Sequence, residues 1–113
     1  MDSTNIQEIL KRYRNAAEAT SGQDPRKANK WQHKMHSCYK LLRSMEEGRM
    51  GIVSLLSNSN PHVRCWSAAH PLEWAPDAAL ATLEDLRDRG GPCSLDAKYT
   101  LREHAKGRLS FEY

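Results

Sequence analysis

Twice in this chain a helix-capping residue is followed directly by proline, at Asp24-Pro25 and Asn60-Pro61, and a third proline, Pro76, follows Ala75. An Asp or Asn side chain can accept hydrogen bonds from the free N–H groups of a first helical turn. Proline suits that turn because its missing N–H had no partner to lose. Between these signals apolar residues recur every three or four positions, no segment shows sustained alternation, and β-branched residues are few. The spacing predicts an all-α fold.

The first helix is expected from Ser3 or Thr4, either of which can cap it, to about Thr20, with Ile6, Ile9, Leu10, Tyr13, Ala16, Ala17 and Thr20 on one side. Ser21-Gly22-Gln23 breaks it. From Asp24-Pro25 a stripe of Ala28, Trp31, Met35, Cys38, Leu42 and Met45 predicts a helix that ends near Gly48, with Lys27, Lys30, Lys34, Lys40 and Arg43 on its other faces. A shorter apolar piece, Met50 to Leu56, leads to a turn at Ser57-Asn58-Ser59. Asn60-Pro61 opens a helix from His62 to about His70, which Pro71 ends or kinks. Ala75-Pro76-Asp77 opens the next, with Ala79, Leu80, Leu83 and Leu86 inward and Glu84, Asp85 and Asp88 outward, until Gly90-Gly91-Pro92 stops it. Ser94 is placed to cap a last helix, Leu95 to about Lys106, before Gly107 and a short polar-aromatic tail.

About six helices joined by short loops make a bundle or a short solenoid. A faint internal repeat separates the two. Asn60-Pro61-x-Val63-x-Cys65-x-Ser67-Ala68 aligns with Pro92-Cys93-x-Leu95-x-Ala97-x-Tyr99-Thr100 at a spacing of 32 residues. That period belongs to stacked α-helical pairs.

With 113 residues the chain can form one domain with a modest core, and 27% charged residues cover its outside. No apolar run approaches the roughly 20 residues of a membrane-spanning helix. Met1-Asp2-Ser3-Thr4-Asn5 lacks the basic-then-apolar order of a signal peptide, so the expected location is cytoplasmic. Cys38, Cys65 and Cys93 are widely spaced, odd in number and without a C-x-x-C pair. They read as reduced thiols used as small apolar residues, not as a redox motif or a zinc knuckle. The net charge of +3 is uneven: residues 1–45 carry nine Lys/Arg against four Asp/Glu, and residues 46–113 carry eight against ten. The basic front half can face an acidic protein or a nucleic acid, or it is simply a solvated face.

Chemistry finds few footholds. His33-x-x-His36-x-Cys38 is the densest group of potential metal ligands, and the two histidines stand one helical turn apart. Cys38, however, lies on the apolar stripe, about 180° round the helix from His36, so two surface histidines and no metal site are expected. Cys65 and His70 are close in sequence, but no glycine-flanked elbow or oxyanion loop accompanies them. The carboxylates at Glu84, Asp85 and Asp88 fall on exposed faces that cannot shift their pKa for acid–base work. Gly90-Gly91 runs into Pro92, a helix stop and not a phosphate cradle. No catalytic residues and no cofactor are assigned. Nucleic-acid binding through Lys27, Lys30, Lys34, Lys98, Arg102 and Lys106 is an alternative, opposed by the slight net charge and by the acids of the second half.

The segment Leu55-Leu56-Ser57-Asn58-Ser59-Asn60-Pro61-His62-Val63-Arg64 resembles the middle of a HEAT-type repeat. There one helix ends in paired leucines, a polar-Pro-x-Val-Arg turn follows, and small residues begin the second helix. The resemblance implies that Arg64 makes lateral contacts with the next unit. The sequence departs from the pattern at Ser67, a usual alanine position, and at Pro71, where an aliphatic residue is usual. A longer stretch, residues 45–110, is similar to a small bacterial family of unknown function with HEAT-like helices. It is carried by Val63-Arg64-Cys65-Trp66-Ser67-Ala68-Ala69-His70, Leu72-Glu73-Trp74-Ala75-Pro76, the Leu86 region, Ala97-Lys98-Tyr99-Thr100-Leu101-Arg102-Glu103 and Lys106-Gly107-Arg108-Leu109. Relatives of that kind stand beside secreted bacterial toxins, so the resemblance implies an immunity protein that binds a cognate toxin and occludes it. The implied architecture is an α–α superhelix: a helical hairpin over residues 1–45, then two HEAT-like pairs over residues 46–110.

Trp66 and Trp74 are core residues on the simpler reading, and Trp31 more plainly so. Alternatively one of the first two, with His70, lies on the inner side of the stack and anchors a protein partner. Solenoid geometry places the contact surface on the second helix of each pair, with His62, Trp66, His70 and Glu73 from one and Lys98, Arg102 and Lys106 from the other. An adaptor module without a toxin partner is the second reading.

Overall fold

The computed structural model describes residues 3–21 and 24–111. Six α-helices follow one another: α1 (Ser3–Ala19), α2 (Pro25–Arg43), α3 (Glu46–Ser54), α4 (Pro61–Ala69), α5 (Pro76–Arg89) and α6 (Ser94–Ala105). Single 3₁₀ turns occupy Leu55–Ser57 and His70–Leu72. The described residues contain no strand, and no helix among them is long and apolar enough to cross a membrane. The side chains of Ser3 and Thr4, proposed caps of α1, and Gly22 and Gln23 of the break after it lie outside the described residues.

The proline signals act as the sequence predicts. Asp24 Oδ1 accepts from the Arg26 N–H at 3.0 Å, and Asn60 Oδ1 accepts from the N–H groups of His62 and Val63 at 2.9 and 3.3 Å. Pro76 begins α5 behind Ala75, which has no side-chain cap to offer. Pro71 ends α4 by converting its continuation into the His70–Leu72 turn. Gly90, at φ 73°, stops α5 in a conformation that other residues avoid.

Two boundaries differ from the expectation. The stripe that starts at Pro25 does not continue to Gly48, because α2 ends at Arg43 and Ser44 and Met45 turn the chain into α3. Met45 still packs against the core from its extended position, so the three-and-four spacing runs on through a turn. Gly48 is not a helix stop. It lies buried in α3, where a Cβ would overlap the carbonyl of Leu42, and the tight α2–α3 turn needs a residue without one. The second difference is at Ser94, which is the first residue of α6 and not its cap. Cys93 holds the N-cap position without a side-chain hydrogen bond, and the turn is fixed by the Ser94 N–H donating to the Gly91 carbonyl at 3.3 Å.

Helix α4 lies between two apolar clusters. Val63 joins Tyr13, Ala16 and Ala17 of α1, Met35, Tyr39 and Leu42 of α2, and Ile52 of α3, with Trp66 packed against them. On the other side Cys65 and Ala68 join Leu72, Ala79, Leu83, Leu86, Cys93 and Ala97. A helix covered from both sides must be lined with small or apolar residues, and Ser67, Ala68 and Ala69 are all buried. Ser67 turns its hydroxyl back to the Arg64 carbonyl at 3.2 Å, which satisfies it inside the core. Arg64 reaches out to α5: its Nη2 lies 3.2 Å from Asp85 Oδ2, and its Nε donates to the Leu56 carbonyl at 2.9 Å. Arg89 binds the other oxygen of Asp85 at 2.9 Å, and the two guanidinium groups hold that carboxyl below its usual range. The whole measures 38 × 32 × 27 Å.

Gly48→Ala should destabilise the protein by about 3 kcal/mol or more in urea unfolding, because the new methyl meets backbone that cannot yield. Gly51→Ala should stay within about 1 kcal/mol, since its Cβ would meet only the flexible Leu10 side chain at 3.0 Å. Equal effects at the two positions would contradict this account of the α2–α3 turn.

Candidate functional site

The two clusters are tied together at a buried pair of polar side chains. Tyr13, on α1, and His70, just past α4, are both inaccessible to solvent, and the Tyr13 hydroxyl lies 2.6 Å from His70 Nδ1. Among the described residues the phenol O–H has no other acceptor, so the arrangement that satisfies both groups is donation to Nδ1 with the imidazole proton on Nε2. The His70 ring stacks on Tyr39 at 4.1 Å between centroids and on Trp66 at 5.7 Å, and it meets Phe111 edge-on at 4.7 Å. Burial, with His36 and Arg43 as nearby charges, pushes the imidazole down to about 3. Burial beside Tyr39 and Cys65 pushes the Tyr13 hydroxyl well up. The pair is therefore neutral over the physiological range.

This corrects one member of the expected contact surface. His70 is 2% exposed and cannot meet a partner's surface directly. Pro71 turns the chain at the end of α4 and directs the ring inward onto α1 and α2. Its Nε2 has no hydrogen-bond partner among the described residues, and the ring borders a cavity of about 290 Å³ shared with Glu73, His104 and Phe111.

The other expected residues remain accessible. His62 and Trp66 are half-buried in the wall of a groove of about 430 Å³ between α4, the end of α1 and α6. The Trp66 indole N–H donates to Thr20 Oγ1 at 3.1 Å, so the ring is anchored at one edge. Trp74 is similarly held, its N–H donating to the Arg49 carbonyl at 3.2 Å while its ring stacks toward Tyr39. Lys98 and Arg102 stand exposed on α6 beside a shallower recess of about 350 Å³ with Leu95, Asp96 and Tyr99. Asp96 and Tyr99 line both hollows and join them into one surface. Glu73 is exposed on the His70 side, and Lys106 lies exposed just past the end of α6.

Tyr99 and Leu95 were absent from the sequence-derived contact set and are its most informative additions. They are 61% and 76% exposed, large apolar side chains that no neighbour covers. The signal was present in the spacing: Leu95, Lys98, Tyr99 and Arg102 fall on one face of α6 at steps of three and four. Phe111 is the other omission. The tail folds back so that Arg43 Nη1 donates to the Phe111 carbonyl at 3.2 Å and the Phe111 ring packs on Tyr39 and His70. Nothing in a short polar-aromatic ending distinguishes a docked ring from a free one.

The metal reading finds no geometry. His33 is exposed, His36 contacts the Tyr39 ring, and Cys38 packs toward the core. Among the described residues no three His, Cys, Asp or Glu side chains cluster as ligands. All three cysteines are free.

No family model and no curated protein matches the chain. Among solved structures it is similar to the crystal structure of the protein RPA1889 from Rhodopseudomonas palustris CGA009, with a TM-score of 0.83 over 97% of this chain and 98% of that one. The two sequences are 21% identical, which establishes a shared all-α fold and no more.

The buried imidazole makes stability pH-dependent in a defined direction. The unfolded chain takes up this proton near pH 6.5 and the folded chain only near 3. The contribution of neutral His70 is therefore complete above 6.5 and is lost as pH falls toward 3, at about 1.4 kcal/mol per unit. Ring resonances of His70 should stay constant between about pH 8 and pH 5. A His70 ring that titrates in that window would contradict the buried pair. Tyr13→Phe, which leaves Nδ1 unpaired, should cost about 1–3 kcal/mol in urea unfolding.

Proposed function

We propose that this chain is a protein-binding module of the immunity type, which neutralises a cognate bacterial toxin by covering its active or substrate-binding site. The observation that carries the reading is the surface shared by α4 and α6. There the exposed Tyr99 shares a groove with the half-buried Trp66, and with exposed Leu95 it lines an adjoining recess alongside Lys98 and Arg102. Aromatic and arginine side chains at the centre of a patch supply most of the energy of a protein interface, and flanking charges steer its approach. The resemblance of residues 45–110 to HEAT-like immunity proteins gives the partner its class. Packing of α4 on α5 and α5 on α6, with Arg64 reaching sideways to Asp85, supports a stack of helix pairs. On this reading the chain acts on the toxin by occlusion, without chemistry on it, in the cytoplasm, where an incoming toxin meets its target.

An adaptor that uses the same surface for a different protein is the second class. Nucleic acid fits this surface less well, because the Asp96 carboxylate lines both hollows and stands beside Lys98 and Arg102.

Co-expression with the C-terminal domain of the protein encoded immediately upstream should rescue growth, and the two chains should co-elute. Lys98→Glu with Arg102→Glu should weaken the complex by about tenfold or more and leave the melting temperature unchanged, since both side chains are exposed. Toxicity without rescue, or rescue without a complex, would overturn the occlusion reading. A salt-dependent shift of duplex DNA by the chain alone would favour the nucleic-acid reading.

A further inference from the structure

The seam between α1 and α2 holds a hollow of about 430 Å³ that shares no lining residue with the α4–α6 groove. Arg12, Asn15 and Ala16 line it from α1, and Trp31, Lys34 and Cys38 from α2. Ala16 is buried, Trp31 and Cys38 are half-buried against the core, and the three give the hollow an apolar floor. Trp31, Lys34, Cys38 and Leu41 follow one another at steps of three and four, along the edge of α2 that borders the hollow. Leu41, 50% exposed, carries that edge one turn further with a large apolar side chain.

The charged groups of this seam are cations. Arg12 and Lys34 line it from opposite helices, and among the described lining residues no carboxylate stands beside them. The Lys34 ammonium lies 4.5 Å from the centre of the Trp31 ring, a cation–π contact that holds the charge at the hollow. Arg12 pairs with Glu8 at 3.6 Å, but both side chains are more than half exposed. Such a pair is weak and leaves the guanidinium able to take a second acid. Lys30 and Lys27 stand exposed one and two turns before Lys34. They belong to the basic excess of residues 1–45, nine Lys/Arg against four Asp/Glu.

We propose that this seam docks an acidic segment of a partner protein, which inserts one large apolar side chain between Arg12 and Lys34 and sets carboxylates on those two cations. Charge complementarity selects the partner: cations on both walls of an apolar hollow favour a ligand with anions on either side of its apolar group. The volume lies within the roughly 300–1,000 Å³ usual for binding clefts. Single-stranded nucleic acid also needs cations, but it binds by stacking bases on aromatic faces. The Trp31 ring is packed against the core and carries the Lys34 ammonium, so it offers no such platform. None of these residues belongs to the α4–α6 surface, so the seam stands apart from the immunity reading.

A fluorescein-labelled peptide with a central Phe flanked on each side by Glu and Asp, titrated with the full chain by fluorescence anisotropy, tests the proposal. Saturable binding is expected, and it should weaken about tenfold between about 0.01 and 0.15 M salt as the Debye length shrinks. Replacing the Phe by Ser, or the acids by Gln and Asn, should each cost about tenfold in affinity. Arg12→Glu with Lys34→Glu should cost at least as much with the fold kept, as read by circular dichroism, because both side chains are exposed. Ser37→Glu, an exposed position in the same wall, should weaken binding in the same direction. Cys38 is half-buried in this hollow while Cys65 and Cys93 are buried elsewhere, so saturating peptide should slow alkylation of Cys38 several-fold. Equal binding of the peptide without Phe, unchanged affinity in the folded double variant, or Cys38 alkylation indifferent to the peptide would overturn the proposal. Tighter binding of a labelled oligo(dT) of the same length would overturn it in favour of nucleic acid.

Discussion

The hydrogen bond between Tyr13 and His70 is the interaction on which the rest of this structure depends. It closes 57 residues of chain, joins the first helix to the turn after the fourth, and does so with both partners buried. Neither group can be hydrated there, so each needs the other: a lone buried hydroxyl or imidazole costs about 1–3 kcal/mol. The pair also sets the order of the rings around it. Tyr39, Phe111 and Trp66 contact the imidazole from three elements, which brings α2, the tail and α4 to one place. Keeping the histidine neutral is the condition for this packing, since a charged imidazole among four aromatic rings has no counter-ion within the cluster.

From that constraint the position of the candidate surface follows. With Trp66 and His70 directed toward α1 and α2, the opposite side of α4 presents Cys65 and Ala68 to the α5–α6 pair. A groove is left where α6 leans away from the end of α1, and its walls are the residues that neither cluster absorbs: His62, the edge of Trp66, and the outer face of α6. The exposed aromatic and cationic residues of α6 are therefore a consequence of placement, because α5 covers one side of that helix and no described element covers Leu95 and Tyr99 on the other. Binding through this surface requires no rearrangement of either core.

Much of the fold was legible because helix starts carry chemistry that a sequence displays. Asp24, Asn60 and the prolines behind them, Pro71, and Gly90 each mark a boundary for a local reason, and each boundary stands where that reason puts it. The errors arose where tertiary packing overrode the local signal. Gly48 resembles a helix end and is instead a close-approach residue, and Met45 continues an apolar stripe although the helix has already stopped. On the candidate surface, Trp66, His62, Lys98 and Arg102, expected from the position of the second helices, are accessible side chains. His70 was misplaced because spacing alone cannot tell an inward ring from an outward one after a proline turn. Tyr39 and Phe111 went unnoticed for a related reason: each is a single aromatic whose role is defined by partners 31 or more residues away.

The central claim is that the chain acts through the face shared by α4 and α6. Hydroxyl-radical footprinting of the chain, alone and in complex with the toxin domain, tests it most directly because the decisive side chains are strongly exposed in the free protein. The account predicts that Leu95 and Tyr99 lose most of their labelling on binding, while exposed Met50 on α3 is labelled equally in both states. Protection of Met50 with Leu95 and Tyr99 unchanged would place the interface elsewhere and contradict it.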